Sequence, residues 1–167
     1  MIRQTHRALY LVLCCMAVLC GAVCAPAQKA IALRMLDSRT GKPIVTKDFL
    51  VRVNHEDTIH ADWVTQNDDG TFKLTVPGDA TVVSVRATYD NTTAFYVNCD
   101  SDTNRWYTDR APSPDHWYKV SDILTLGVVA PMGCGGKKIT DKLAVVAKPG
   151  EFIFYVRKLN PREQAAQ

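Results

Sequence analysis

The chain has 167 residues, 47% hydrophobic and 22% charged, with a formal net charge of +3. This composition excludes bulk disorder and suits one globular domain rather than two. No Lys/Arg run is longer than two residues, and beyond residue 27 there are 18 basic and 17 acidic residues. That balance argues against a dedicated nucleic-acid binder and against an electrostatically held membrane-surface protein.

The N-terminal segment reads as an export signal. Met1 to Arg7 is basic, Ala8 to Val23 is an uncharged apolar stretch, and Ala25-Pro26-Ala27 is a small-x-small cleavage pattern ahead of Gln28. The apolar stretch falls short of the roughly 20 residues that span a bilayer, so no membrane span is expected after cleavage. Lipidation at Cys20 or Cys24 is disfavoured by the Leu19 and Val23 that precede them. The expected organisation is a signal peptide over 1–27, one domain over 28–159 and a flexible tail over 160–167. The expected location is periplasmic or extracellular.

Beyond the signal, period-two alternation dominates. Ala30 to Leu36 is the first strand candidate, followed by the turn residues Asp37-Ser38-Arg39-Thr40-Gly41-Lys42-Pro43. Phe49, Val51 and Val53 alternate with Leu50, Arg52 and Asn54, and Thr58 to Thr65 is a further candidate. Asp68-Asp69-Gly70 predicts a tight turn before Phe72, Leu74 and Val76, whose partners Thr71, Lys73 and Thr75 face water. After Pro77-Gly78-Asp79, the run Thr81 to Tyr89 places Val83, Val85 and Ala87 inward and Ser84, Arg86 and Thr88 outward. Ala94 to Asn98, Lys142 to Ala147 and Phe152 to Lys158 complete the strand candidates, the last apolar on both faces as in a central strand.

Between these runs, Cys99 to Val120 is polar and holds Pro112 and Pro114, the pattern of a long loop. Ser121 to Gly127 predicts a short helix with Ser121 as N-cap, Asp122 at the positive end and Gly127 in the left-handed C-terminal position. Many short strands separated by turns point to an all-β, immunoglobulin-like antiparallel β-sandwich, with one short helix and a long loop in its second half.

Cys99 and Cys134 are the two cysteines beyond the signal, and in an oxidising compartment they most simply form one disulfide. Closing about 36 residues stabilises by roughly 3–4 kcal/mol in the chain-entropy model. The alternative, a catalytic thiol, needs a positioned histidine and a lowered pKa, and Cys134 has no basic partner nearer in sequence than Lys137.

Leu36-Asp37-Ser38-Arg39-Thr40-Gly41-Lys42-Pro43-Ile44, then Asp69-Gly70-Thr71-Phe72, Val76-Pro77 and Val85-Arg86-Ala87, occur in a familiar order. Over Ala30 to Tyr89 the chain resembles the carboxypeptidase regulatory-like, transthyretin-like group of secreted β-sandwich domains. That resemblance implies a seven-stranded prealbumin-like sandwich serving as an accessory or binding module. The second half, with Gly127-Val128-Val129-Ala130-Pro131 and Pro149-Gly150-Glu151-Phe152, is similar to small uncharacterised exported bacterial proteins. The hydroxyisourate hydrolases of the transthyretin-like group end in a Tyr-Arg-Gly-Ser type motif. Tyr155-Val156-Arg157-Lys158 departs from it, so that activity is not implied.

Candidate chemistry is sparse. Asp100, Asp102 and Asn104 take the first, third and fifth positions of a calcium-type loop, but Arg105 stands at the glycine position and Ala111 at that of the bidentate acid. His60 and Asp62 share a strand face near His55, two ligands where a metal needs three or four, and a solvated polar face is the simpler reading. Gly136-Lys137 lacks the phosphate-loop pattern, and neither G-x-S-x-G nor H-E-x-x-H occurs. Asn91-Thr92-Thr93 is a sequon, meaningful only in a eukaryotic secretory route. Trp106, Tyr107, Trp117 and Tyr118 in the long loop are the candidate ligand-binding residues, because aromatic faces beside polar groups suit sugars or peptides; the competing reading folds them back as loop anchors.

The expectation is therefore a non-enzymatic binding or envelope-accessory module with no catalytic residues, metal or cofactor. Its partner would be an unknown envelope protein or glycan. The alternatives are a small hydrolase using His55, His60 and Asp62, and a structural domain that pairs by an edge strand.

Overall fold

The computed structural model describes residues 27–44, 49–87, 89–90, 94–100, 117–130, 133–134, 137–138 and 143–159. The signal segment up to residue 26, Trp106, Tyr107 and the tail from residue 160 lie outside the described residues.

The first strand, β1 (Lys29–Asp37), turns Ile31, Leu33 and Met35 into the core. It pairs antiparallel with β4 (Phe72–Val76), which pairs in turn with the short β3 (Val64–Gln66). On its other side it pairs with β12 (Glu151–Lys158), with Leu33 opposite Phe152 and Met35 opposite Phe154. β7 (Ala94–Asn98) and β6 (Tyr89–Asp90) extend this sheet in the order β3-β4-β1-β12-β7-β6, and β9 (Val128–Val129) also joins β12. A three-stranded sheet, β2-β5-β8, is built from β2 (Phe49–Val53), β5 (Val82–Ala87) and β8 (Tyr118–Lys119). β10 (Gly133–Cys134) and β11 (Lys137–Lys138) form a separate antiparallel pair.

The inward faces of the two larger sheets share one core. Phe49 of β2 meets Phe72 edge-on at 4.7 Å and Phe154 at 6.5 Å, so the two layers interlock through aromatic contacts. The described residues are mostly β with two packed layers, an arrangement compatible with a sandwich.

The expectation of a purely antiparallel fold is corrected: β12 runs parallel to both β1 and β9. Parallel neighbours require a crossover, and the chain between β1 and β12 supplies one. Both faces of β12 are buried, as its unbroken apolar run predicts, because a second cluster covers the side away from the main core. There Leu143, Val145 and Ala147 lie over Leu36, Ile153 and Tyr155.

Three local expectations also change. Within Lys142–Ala147 the described residues 143–147 are not a strand: their alternation comes from lying across the sheet face, held by the Tyr155 hydroxyl donating to Leu143 O at 2.5 Å. Of Thr58–Thr65 only the end is strand, because residues 58–63 pass from one sheet edge to the other; His60 N–H donates to Val51 O, and Trp63 O accepts from Thr75 N–H. Finally, α1 (Val120–Thr125) starts two residues earlier than Ser121 capping would give, with Lys119 at the N-cap position. Val120 N–H donates to Thr81 O, and Ser121 Oγ donates to Asp122 Oδ1, so β5's approach replaces a side-chain cap.

The turns match their sequence signatures. Asp37 Oδ1 accepts from Arg39 N–H, Thr40 N–H and Thr40 Oγ1. In the β3–β4 hairpin, Asp69 Oδ1 accepts from the Thr71 amide and hydroxyl, which holds its carboxyl below the ordinary range.

Candidate functional site

Trp117 and Tyr118 are adjacent in sequence and take opposite roles. Tyr118 opens β8, pairs with Val83 and turns its ring inward, 4.6 Å from Phe152. Its hydroxyl donates to Asp100 Oδ2 at 2.5 Å. Burial first, then the Asp100 charge and hydrogen bond, push the phenol well above its ordinary value. Tyr118 therefore anchors the long loop, tying its last residues to its first. Trp117 lies one residue before the strand. It is half-buried, and its ring sits 4.4 Å from that of exposed His55.

The route of β2 explains the position of His55. Asn54 and His55 have φ of 53° and 61°, a left-handed turn closed by Asn54 Oδ1 accepting from the Thr81 amide and hydroxyl. Asparagine tolerates this backbone region better than most residues. The turn carries His55 toward Trp117, whereas His60 stacks on Trp63 at 3.6 Å with nearly parallel rings. The two imidazoles of the hydrolase reading are thus each engaged with a different indole, and Asp62 is exposed. Among the described residues no group of three His, Cys, Asp or Glu side chains could hold a metal ion. Trp63 and its stack on His60 carried no motif signal; the i, i+3 pair became legible only once residues 58–63 were seen crossing between sheets.

On the other side of β5, Asn98 is 7% exposed. Its Nδ2 donates to Val85 O and its Oδ1 accepts from Ala87 N–H, where the β8 ladder has already ended. Ser84, expected to face water, is 2% exposed instead. Arg86 is half-buried; burial and the neighbouring Arg52 charge lower its pKa, and Asp100 acts in the opposite direction.

Cys99 is buried in the second cluster, and its amide donates to Tyr155 O. The side chain of Cys134 lies outside the described residues, as do Ser101 to Arg105 of the calcium-type loop and Asn91 to Thr93. No helix among the described residues is long and apolar enough to cross a membrane.

Comparison with known proteins found no match among family models, curated proteins or solved structures. The functional reading therefore rests on this chain's own residues.

Proposed function

We propose that this protein is an exported, non-enzymatic binding or envelope-accessory module of the prealbumin-like sandwich type. Its contact surface is the loop from Cys99 to Val120, with Trp117 and the neighbouring His55 at its end. The observation that carries this reading is the division of labour between neighbouring aromatics. Tyr118 packs its ring on Phe152 in the core, whereas the half-buried Trp117 stands beside the ring of exposed His55. An indole held next to an anchored strand buries ligand area at small entropic cost. The oxidised pair Cys99–Cys134 belongs to the same proposal, since it would brace the segment between them. Burial of Cys99 supports a structural cysteine over a reactive thiol.

Strand addition is the weaker alternative. The edge strand β3 is uncharged, but it is only three residues long and lies between Asp62 and the Asp68-Asp69 pair. Short edges flanked by charge resist pairing with another chain.

Trp117→Ala tests the reading. Truncating a contact aromatic costs about 2 kcal/mol or more of binding, near thirtyfold in affinity, with little change in the unfolding midpoint. A midpoint that falls by several degrees while ligand affinity stays constant would make Trp117 a packing residue.

A further inference from the structure

The first strand ties the chain down almost at once after the small-x-small pattern Ala25-Pro26-Ala27. β1 begins at Lys29, which pairs with Val76 and whose ammonium donates to Ala80 O at 3.1 Å. Gln28 stands one residue ahead of that ladder and is exposed, as is Ala27. Ahead of β1 the backbone runs along the Pro77-Gly78-Asp79 turn, where a Cβ on Gly78 would collide with Ala27 O. The bond between Ala27 and Gln28 is the one that the export reading cuts. Its cleavage takes Ala27 away from Gly78. Gln28 is then a single solvent-facing residue, with a free α-amine, on a strand fixed from Lys29 onward.

We infer that Gln28 is a modification site: after cleavage its α-amine closes on its own carboxamide, so that the exported chain begins with pyroglutamate. The inference rests on the export reading and adds to it the fate of the new N-terminus. The amine lone pair attacks the side-chain carbonyl carbon Cδ, and the bond from Cδ to the carboxamide nitrogen breaks. That nitrogen departs as ammonia with the proton the amine gives up. A five-membered lactam forms with no oxidant, metal or second substrate. While the Ala27–Gln28 bond is intact, the same nitrogen is an amide and no nucleophile. A free α-amine has a pKa of about 7.7–8.0, so on the order of a tenth of it is the neutral nucleophile at pH 7. Ring closure turns only the torsions of Gln28 itself, which belongs to no strand, and the contacts of Lys29 stay as they are. The product carries neither a terminal charge nor the primary amine that an aminopeptidase grips. Loss of residue 28 would open the way to Lys29, its bond to Ala80 O and the first rung of β1 on β4. The cap thus guards the end of a strand that lies between β4 and β12 in the interior of the larger sheet.

The test is N-terminal analysis of the exported protein, purified from cells that express the full chain. Stepwise degradation is applied to the intact protein, and the mass of its N-terminal chymotryptic peptide is measured. The peptide should begin at residue 28 and be lighter than its sequence by one ammonia. Stepwise degradation should be blocked until pyroglutamyl aminopeptidase has removed the first residue. Gln28→Ala should begin at the same position with its full mass and an unchanged unfolding midpoint. A broad-specificity aminopeptidase should shorten that variant under conditions that leave the native chain whole. A chain that begins at Gln28 with a free amine, or at a neighbouring cut, would overturn the inference and leave the export reading intact. Native protein shortened as fast as Gln28→Ala would overturn it as well. Recovery of residues 1–27 still joined to the chain would instead count against the export reading itself.

Discussion

Asn98 does for β5 what a longer β8 would have done. Its amide satisfies a backbone acceptor and a backbone donor at once, in a site from which water is nearly excluded. Leaving a buried backbone group unpaired costs about 1–3 kcal/mol, so Asn98→Ala should destabilise the fold by roughly 3 kcal/mol in chemical denaturation. Asn98→Asp should be at least as harmful, since a carboxylate cannot donate to Val85 O. Tyr118 gives a second prediction at this scale. Its pKa is raised in the folded state, so its contribution is complete below about pH 10, the unfolded value, and declines as pH rises above it. Tyr155 is raised in the same direction by burial. Denaturation midpoints measured from pH 8 to 11.5 should therefore fall above pH 10, less steeply in Tyr118→Phe than in the native chain. Parallel curves would mean that Tyr118 ionises as freely as in the unfolded protein.

At the scale of elements, helix α1 and the β12 approach depend on two glycines that look alike in sequence and differ in space. Gly127 and Gly150 have φ of +76° and +82°, but a Cβ on Gly127 would stand 2.3 Å from Lys148 O, and one on Gly150 would meet nothing within 4 Å. Gly150→Ala should cost about 1 kcal/mol, the left-handed backbone strain alone. Gly127→Ala adds a clash with backbone and should cost at least twice that, measured by thermal unfolding of the two variants side by side. The left-handed role of Gly127 was legible because a glycine after a short apolar helix has few other uses. Strands β1, β2, β4, β5, β7 and β12 were legible for a similar reason: alternation, or its absence in Phe152–Val156, records how many faces are buried. Lys142–Ala147 shows the limit of that signal. Alternating burial marks an extended segment against a surface, and it carries no information on whether the backbone also joins a ladder. Ser84 and the Asn98 clasp escaped for a related reason, since both depend on where a neighbouring strand stops.

For the whole molecule, the sequence spoke to class more than to topology. An all-β, two-layer chain follows from strand count and turn spacing, whereas the parallel β1–β12 contact joins elements from opposite ends of the described chain and has no local signature. The candidate site divides in the same way. The four aromatics of the long loop stood out by composition, but the separation of Trp117 from Tyr118 needed the register of β8 on β5. His55 moved from a metal-like cluster to the indole's side because of a left-handed turn at Asn54. The proposed Cys99–Cys134 bridge is a property of the whole chain, and its reduction should lower stability by roughly 3–4 kcal/mol without loss of β content. Thermal unfolding of the oxidised protein in the presence of calcium, a chelator, neutral and acidic glycans and peptidoglycan fragments tests the central claim most directly. A ligand at 100 times its Kd adds about 2.7 kcal/mol, which moves the midpoint of a domain this size by roughly 5–15 °C. The account predicts a shift of that order with one ligand class, abolished in Trp117→Ala. A midpoint moved equally in Trp117→Ala would contradict it.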